Sequence, residues 1–285
     1  MDVSEAYKVL VEKHDRYGKA WDCCGVPYFQ QEYDELLKTA AIGPGSKVLD
    51  LGSGTGGLPF TASRNLGRGV SIVGVDILPK WLDIARQKAQ NNHTGNVEFK
   101  VMNIESLEFP DRSFDHEISN FVLCCSFQYD RVVKEAYRVL KQGGRFTYNH
   151  PGPHDSLLLT IFDKIFSKYA VREPSESLRK LRQADELQRN MYSRYRDPFV
   201  ALNTMRGAGF RNAEAKILYH THSFSSVQNF IDSWFYLGQE DPELLEMGAK
   251  NNLAMTKELR SAFLPFWTED RYQDEFETVY VTGVR

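Results

Sequence analysis

The chain has 285 residues, 42% of them hydrophobic and 26% charged, with 35 basic against 38 acidic residues and a net charge of −3. That excludes a disordered or fibrous chain and leaves ample length for one large core. The near-neutral balance argues against a nucleic-acid partner, no apolar run approaches the roughly 20 residues of a membrane span, and acids interrupting the first apolar positions predict a cytoplasmic protein.

Residues 1–42 are expected to be helical: one helix through Lys13, a break at Tyr17-Gly18, and a second from about Pro27 to Ala41. Tyr28, Phe29, Tyr33, Leu36 and Leu37 keep near-helical spacing in the second, and Pro27 sits where a first-turn proline is tolerated. From Lys47 the pattern changes. Val48–Leu51, Ser71–Val75, Val97–Met102, Phe114–Val122 and Arg145–Tyr148 read as strands. Between them, one helix puts Leu78, Trp81, Leu82, Ala85 and Ala89 on a face. Another, capped by Asp130, buries Val132, Val133, Ala136, Val139 and Leu140 and ends at Gly143-Gly144. Strands separated by helices of this length form parallel βαβ units. The expected fold is α/β and doubly wound, with a mostly parallel sheet.

After residue 150 the rhythm is lost. Leu157–Tyr169 is a strongly apolar helical stretch, and Glu173–Arg196 is charged enough to read as a solvated helix or loop. Helices are expected near Pro198–Ala208, Ser226–Leu237 and Pro242–Pro265, with strands near Ala213–His220 and Glu277–Val284. Asp241-Pro242 is a helix start, an acid at the cap followed by proline at the first helical position. The expected organisation is a helical cap segment at 1–44, an α/β core at 45–150, and at 151–285 the rest of the sheet with an inserted helical lid. Cysteines fall as two doublets, Cys23-Cys24 and Cys124-Cys125, neither with zinc-knuckle spacing. Packing is their expected role, and no metal site is predicted.

The most informative segment is Val48-Leu-Asp50-Leu-Gly52-Ser-Gly54-Thr-Gly56-Gly57. Its glycines let the backbone turn tightly at the carboxyl end of the first strand, where open α/β sheets bind ligands. Gly52, Gly54 and Gly57 also satisfy G-x-G-x-x-G, so a nicotinamide dinucleotide and an oxidoreductase remain an alternative. Asp50 tilts the choice, because a carboxylate at that edge suits a cationic group and repels a pyrophosphate. Asp76, ending the second strand, suits ribose hydroxyls in either case.

The D-L-G-S-G-T-G block at 50–56 resembles the first motif of class I S-adenosylmethionine-dependent methyltransferases. Later blocks match in order: Gly74-Val75-Asp76-Ile77, Asn103–Pro110 with Asp111–Asp115, and Glu135–Gly144. The resemblance covers roughly residues 45–150 and is closest in style to the small-molecule group that includes quinone-ring methylases. It implies a Rossmann-like fold, S-adenosylmethionine as cofactor and a small-molecule methyl acceptor. It assigns Asp50, Gly52, Ser53 and Gly54 to the methionine end, Asp76 to the ribose, Ile77 to the adenine face, and Asn103 with Ile104 to the adenine edge. Asn120 completes the cofactor set. Where relatives often carry His, the chain has Cys124-Cys125, which removes that source of a general base.

Methyl transfer from a sulfonium requires alignment and exclusion of water. Tyr17, Trp21 and Tyr28, the 157–169 helix and the aromatic run containing Trp234 are the expected lid. Candidate bases are His150 and His154 after the fifth strand, with His220 and His222 a further pair. A methyltransferase-like domain that binds without turnover is the remaining alternative.

Overall fold

The computed structural model describes residues 1–235, 241–268 and 270–285, with the side chains of 232–235 outside that description. Helix α1 (Val3–Asp15) opens the chain, its cap made by Asp2 Oδ1 accepting from Glu5 N at 2.8 Å. Short helical turns across 18–28, including a π-turn at Trp21–Gly25, lead into α2 (Gln30–Ala40). There the near-helical spacing buries Tyr33, Leu36, Leu37 and Ala40.

The alternating region follows as β1 (Lys47–Leu51), α3 (Gly57–Leu66), β2 (Ser71–Asp76), α4 (Pro79–Asn91), β3 (Val97–Val101), β4 (Phe114–Asn120), α5 (Tyr129–Val139) and β5 (Leu140–Pro151). The rest comprises α6 (Leu157–Tyr169), α7 (Glu176–Tyr192), α8 (Pro198–Gly207), β6 (Arg211–Phe224), α9 (Val227–Phe235), α10 (Pro242–Phe263), β7 (Trp267–Thr268) and β8 (Arg271–Val284). The sheet order is β3-β2-β1-β4-β5-β8-β6, with β7 paired to β8. Strands β1 to β5 pair in parallel, while β8 runs antiparallel to both β5 and β6. The expected α/β, mostly parallel architecture is therefore present.

Alternation along the strands sends side chains to two apolar layers. Leu49, Leu51, Phe146 and Tyr148 meet α5 and α8 in one. Val48, Ile72, Ile118 and Tyr280 meet α2 and α3 in the other. No described helix is long and apolar enough to cross a membrane.

Some boundaries differ from expectation for identifiable reasons. Helix α5 starts at Tyr129 with Gln128 at its cap, so Asp130 lies in the first turn rather than capping it. It ends at Val139, and Gly143-Gly144 sits inside the longer β5, where Gly143 at φ +80° donates its N–H to Arg285 O at 3.0 Å. Strands β6 and β8 each run 14 residues because they pair with each other along almost their whole length. The Asp241 start holds: its Oδ1 accepts from Glu243 N at 2.9 Å and Leu244 N at 3.3 Å. The charged 173–196 stretch is mostly helix, one of its two expected forms, but it is not freely solvated. Its helix α7 buries Leu178, Leu181, Ala184 and Tyr192 and packs along α1.

Candidate active site

The first strand ends in a turn that folds back on the second: Gly52 N and Ser53 N both donate to Val75 O, at 2.8 and 2.9 Å. This path needs left-handed backbone, φ +75° at Gly52 and +54° at Gly54. Asp76 locks the turn from across the gap. Its Oδ2 accepts from Gly54 N at 2.8 Å and its Oδ1 from Leu78 N at 2.9 Å, joining the glycine turn to the entry of α4.

Beyond this turn lies a cavity of about 290 Å³. Asp50, Gly52, Ser53, Gly54 and Asp76 line it, followed by Ile77, Leu78, Met102 and Ile104 from the ends of β2 and β3. An aromatic group from four parts of the chain, Trp21, Phe29, Tyr33, Phe121 and Phe276, lines it as well. Asn120, Cys124, Cys125, Ser126, Phe127 and Gln188 also contribute. Asp50 is 1% exposed and neither carboxylate oxygen has a protein hydrogen-bond partner. Burial, then the neighbouring Asp76, pushes its carboxyl well above the usual carboxylate range. Asp76 is also raised by burial, against the pull of its backbone donors. Two acids in a cavity that lacks any lysine or arginine among its lining residues suit a cationic ligand and disfavour an anionic one.

Of the residues expected here, Asp50, Gly52, Ser53, Gly54, Asp76, Ile77, Ile104, Asn120 and Trp21 line the cavity. Asn103 does not; its Oδ1 turns into its own loop, accepting from Glu105 N at 2.8 Å and from Tyr7 OH at 3.5 Å. Tyr17 is buried against Leu78 and Trp81, and Tyr28 stacks on His222 with centroids 3.9 Å apart, so both pack behind the lining. The side chain of Trp234 lies outside the described residues.

The expected bases also lie elsewhere. His150 is fully buried, its Nδ1 paired with Pro151 O at 3.0 Å and its ring against Tyr192, and burial pushes its pKa down to about 4. Alternation along β5 puts it on the face opposite Asn149 and Pro151, away from the cavity that Pro151 lines. The His154 side chain is 82% exposed and pairs with Glu277 Oε2 at 3.1 Å. His220 meets Tyr280 OH and His222 meets Glu32 Oε1, each at 2.8 Å.

Helix α1 is the contribution that sequence reasoning missed: Tyr7, Leu10, Val11 and His14 all line the cavity. Their spacing is the signal, since positions i, i+3, i+4 and i+7 form one helical stripe. The cysteines at 124–125 line the cavity instead of simply packing, and both sulfurs approach Phe121 O, at 3.2 and 3.9 Å. The adjacent Cys124 thiol lowers the pKa of Cys125. Among the described residues, no group of three His, Cys, Asp or Glu side chains could hold a metal ion.

Comparison with known proteins bears directly on this geometry. Residues 42–192, spanning the glycine turn through α7, match the family described as Methyltransferase domain. The chain is 33% identical over 175 residues to the ubiquinone/menaquinone biosynthesis C-methyltransferase UbiE of Rhodopseudomonas palustris, covering 60% of this chain and 68% of that one. It is 41% identical over 106 residues to the arsenite methyltransferase of Halobacterium salinarum, covering 37% of this chain and 27% of that protein. The chain spans 27% to 40% of the length of several curated relatives that it matches. Among solved structures, the YcgJ protein of Bacillus subtilis superposes with a TM-score of 0.55 at 21% identity, covering 90% of this chain and 98% of that one. The family match leaves the oxidoreductase reading of the glycine turn without support. With the turn, the two acids and the match over more than half its length, the chain belongs to the methyltransferase-domain family.

Proposed function

We propose that the protein is an S-adenosylmethionine-dependent methyltransferase acting on a small, largely apolar acceptor with a flat ring. The buried, unpartnered Asp50 carboxylate carries the reading, because it calls for a positive ligand at the end of β1. Asp50 would face the cofactor's ammonium and sulfonium end, Asp76 its ribose, and Ile77, Met102 and Ile104 its adenine. When bound, the cofactor supplies an electrophilic methyl group on positively charged sulfur.

The chain's own contribution is alignment and dryness. Trp21, Phe29, Tyr33, Phe121 and Phe276 form walls that a planar ring can stack on, while α1 and Gln188 of α7 help shut out water. Within the lining, Asn120 and Cys125 are the polar groups nearest in sequence to the end of β4. Asn120 Oδ1 accepts from Asn149 Nδ2 at 2.8 Å, which fixes its amide and leaves its N–H groups to orient an acceptor oxygen. Cys125, its pKa lowered by Cys124, is the group placed to hold an acceptor proton. The names of the relatives, a ubiquinone/menaquinone biosynthesis C-methyltransferase and an arsenite methyltransferase, support a small-molecule rather than a macromolecular acceptor. A cytoplasmic location belongs to the same reading, as does the absence of a nucleic-acid partner, which the net charge of −3 supports.

The test is incubation with methyl-labelled S-adenosylmethionine and a panel of phenols, catechols and quinols, with and without compact anionic and cationic amines. Label transferred to an uncharged ring compound, with matching S-adenosylhomocysteine release, is expected. Cofactor binding without turnover on any acceptor would replace the enzyme by a silent binding domain.

A further inference from the structure

Glu105 is absent from the cavity lining, yet it holds two of the cavity's walls together. It is 4% exposed, and its carboxylate accepts four hydrogen bonds, all from the segment after β4: Ser126 Oγ at 2.6 Å, Phe127 N at 3.1 Å, Gln128 N at 3.2 Å and Gln128 Nε2 at 3.0 Å. On its own loop, the flanking Ile104 lines the cavity where the adenine is placed. On the other, Cys124, Cys125, Ser126 and Phe127 line it directly. The attachment is reinforced from both ends. Asn103 Oδ1 fixes Glu105 N at 2.8 Å, and Ser126 Oγ accepts from Gln128 N at 3.0 Å. Tyr7 of α1 closes the group, with its hydroxyl on Asn103 and its ring 5.7 Å from that of Phe127.

We propose that Glu105 is a positioning residue that couples the two halves of the site: order imposed on the adenine loop by the cofactor passes through its carboxylate to the Cys124–Phe127 segment facing the acceptor. This rests on the reading above, in which that segment meets the acceptor. The chemistry explains the residue type. Two backbone N–H groups, a hydroxyl and an amide converge on one point, and a carboxylate, which only accepts, satisfies them all as they stand. Oε1 takes three of the bonds and Oε2 the fourth. Glutamine can therefore stand in, keeping its oxygen at the Oε1 position while Gln128 flips its amide to present oxygen. Alanine cannot, and it removes the acceptor from all four donors, leaving only Gln128 N with another, Ser126 Oγ.

The test uses S-adenosylhomocysteine as ligand and N-ethylmaleimide as a probe of the loop, with peptide mass spectrometry separating Cys124-Cys125 from Cys23-Cys24. In the wild type, ligand should slow alkylation at 124–125 by about tenfold and leave 23–24 unchanged. Glu105→Ala should raise the Kd about tenfold and the ligand-free alkylation rate at 124–125 about fivefold, and abolish the protection. Glu105→Gln should stay within about threefold of wild type in both. Should Glu105→Ala fail to fold, Ser126→Ala, which deletes the 2.6 Å bond, should shift both readouts the same way by about twofold to fivefold. Wild-type Kd and thiol rates in a folded variant that lacks these bonds would overturn the coupling alone, as would Glu105→Gln behaving like Glu105→Ala. A wild-type protein that does not bind S-adenosylhomocysteine would overturn the reading of the site, and the coupling with it.

Discussion

Gly52 is the residue at which the backbone path of the site is most exposed to perturbation. A Cβ built there would lie 2.3 Å from both Cγ atoms of Val122 and 2.7 Å from its Cβ, at a backbone φ of +75°. Forcing an L-residue into the left-handed region costs about 1–2 kcal/mol. Overpacking against the branched Val122 adds about 1–3 kcal/mol, and the stiffer unfolded chain returns about 0.4–1 kcal/mol. Gly52→Ala should therefore destabilise the protein by about 1–4.5 kcal/mol in urea unfolding followed by circular dichroism. Val122→Ala in the same background removes the Cγ atoms but leaves the Cβ contact, so it should recover only the overpacking part, a coupling of about 1 kcal/mol in the double-mutant cycle. Because Gly52 N holds Val75 O, the single variant should also weaken S-adenosylhomocysteine in calorimetry. A Gly52→Ala protein within about 0.5 kcal/mol of wild type, or a cycle with no coupling, would refute the reasoning.

Burial holds the folded-state pKa of His150 near 4, below its unfolded value, so its stabilising effect is full above the unfolded pKa and is lost as pH falls toward the folded one. Urea stability should drop by about 2 kcal/mol more between pH 7 and pH 5 in wild type than in His150→Asn, whose side chain has no proton to gain; parallel pH profiles would contradict this. The exposed His154, held only by Glu277, should be replaceable by alanine with S-adenosylhomocysteine affinity within about twofold of wild type, and a larger loss would return it to the site. Asp76→Ala strands Gly54 N and Leu78 N as well as any ribose contact, so its affinity loss should exceed about 1.5–3 kcal/mol, the value of a single charge-assisted bond. Calorimetry showing an unchanged Kd would remove Asp76 from the ribose.

The elements legible in the sequence were those whose signal is local. The glycine turn announced itself because positive φ demands glycine, and β1 and β2 did so because both their faces are buried. Asp50 and Asp76 followed as strand ends. What was hidden depends on which partner or face a side chain takes, and residue type alone does not show that. Asn103 has the residue type for an adenine contact, but the N–H of Glu105 two positions on competes for its oxygen. His150 carries the chemistry of a base, yet strand alternation turns it to the wrong face. The charged 176–192 helix reads as solvated because its buried stripe finds its partner only across the fold, in α1. The long β6–β8 pairing extends past the locally apolar residues for the same reason: its ladder is satisfied by the other strand, not by composition.

The central claim is that a buried acid at the end of β1 grips a cationic sulfur cofactor, and Asp50→Asn tests it most directly. Since the folded pKa of Asp50 is raised, its stabilising effect is present at low pH and lost as pH rises through that value; the ligand-free variant should melt higher than wild type at pH 7. Titrated with S-adenosylmethionine, the same variant should bind about 1.5–3 kcal/mol more weakly. Equal affinity in the two proteins, or tighter binding of a nicotinamide dinucleotide than of S-adenosylmethionine by wild type, would contradict the account.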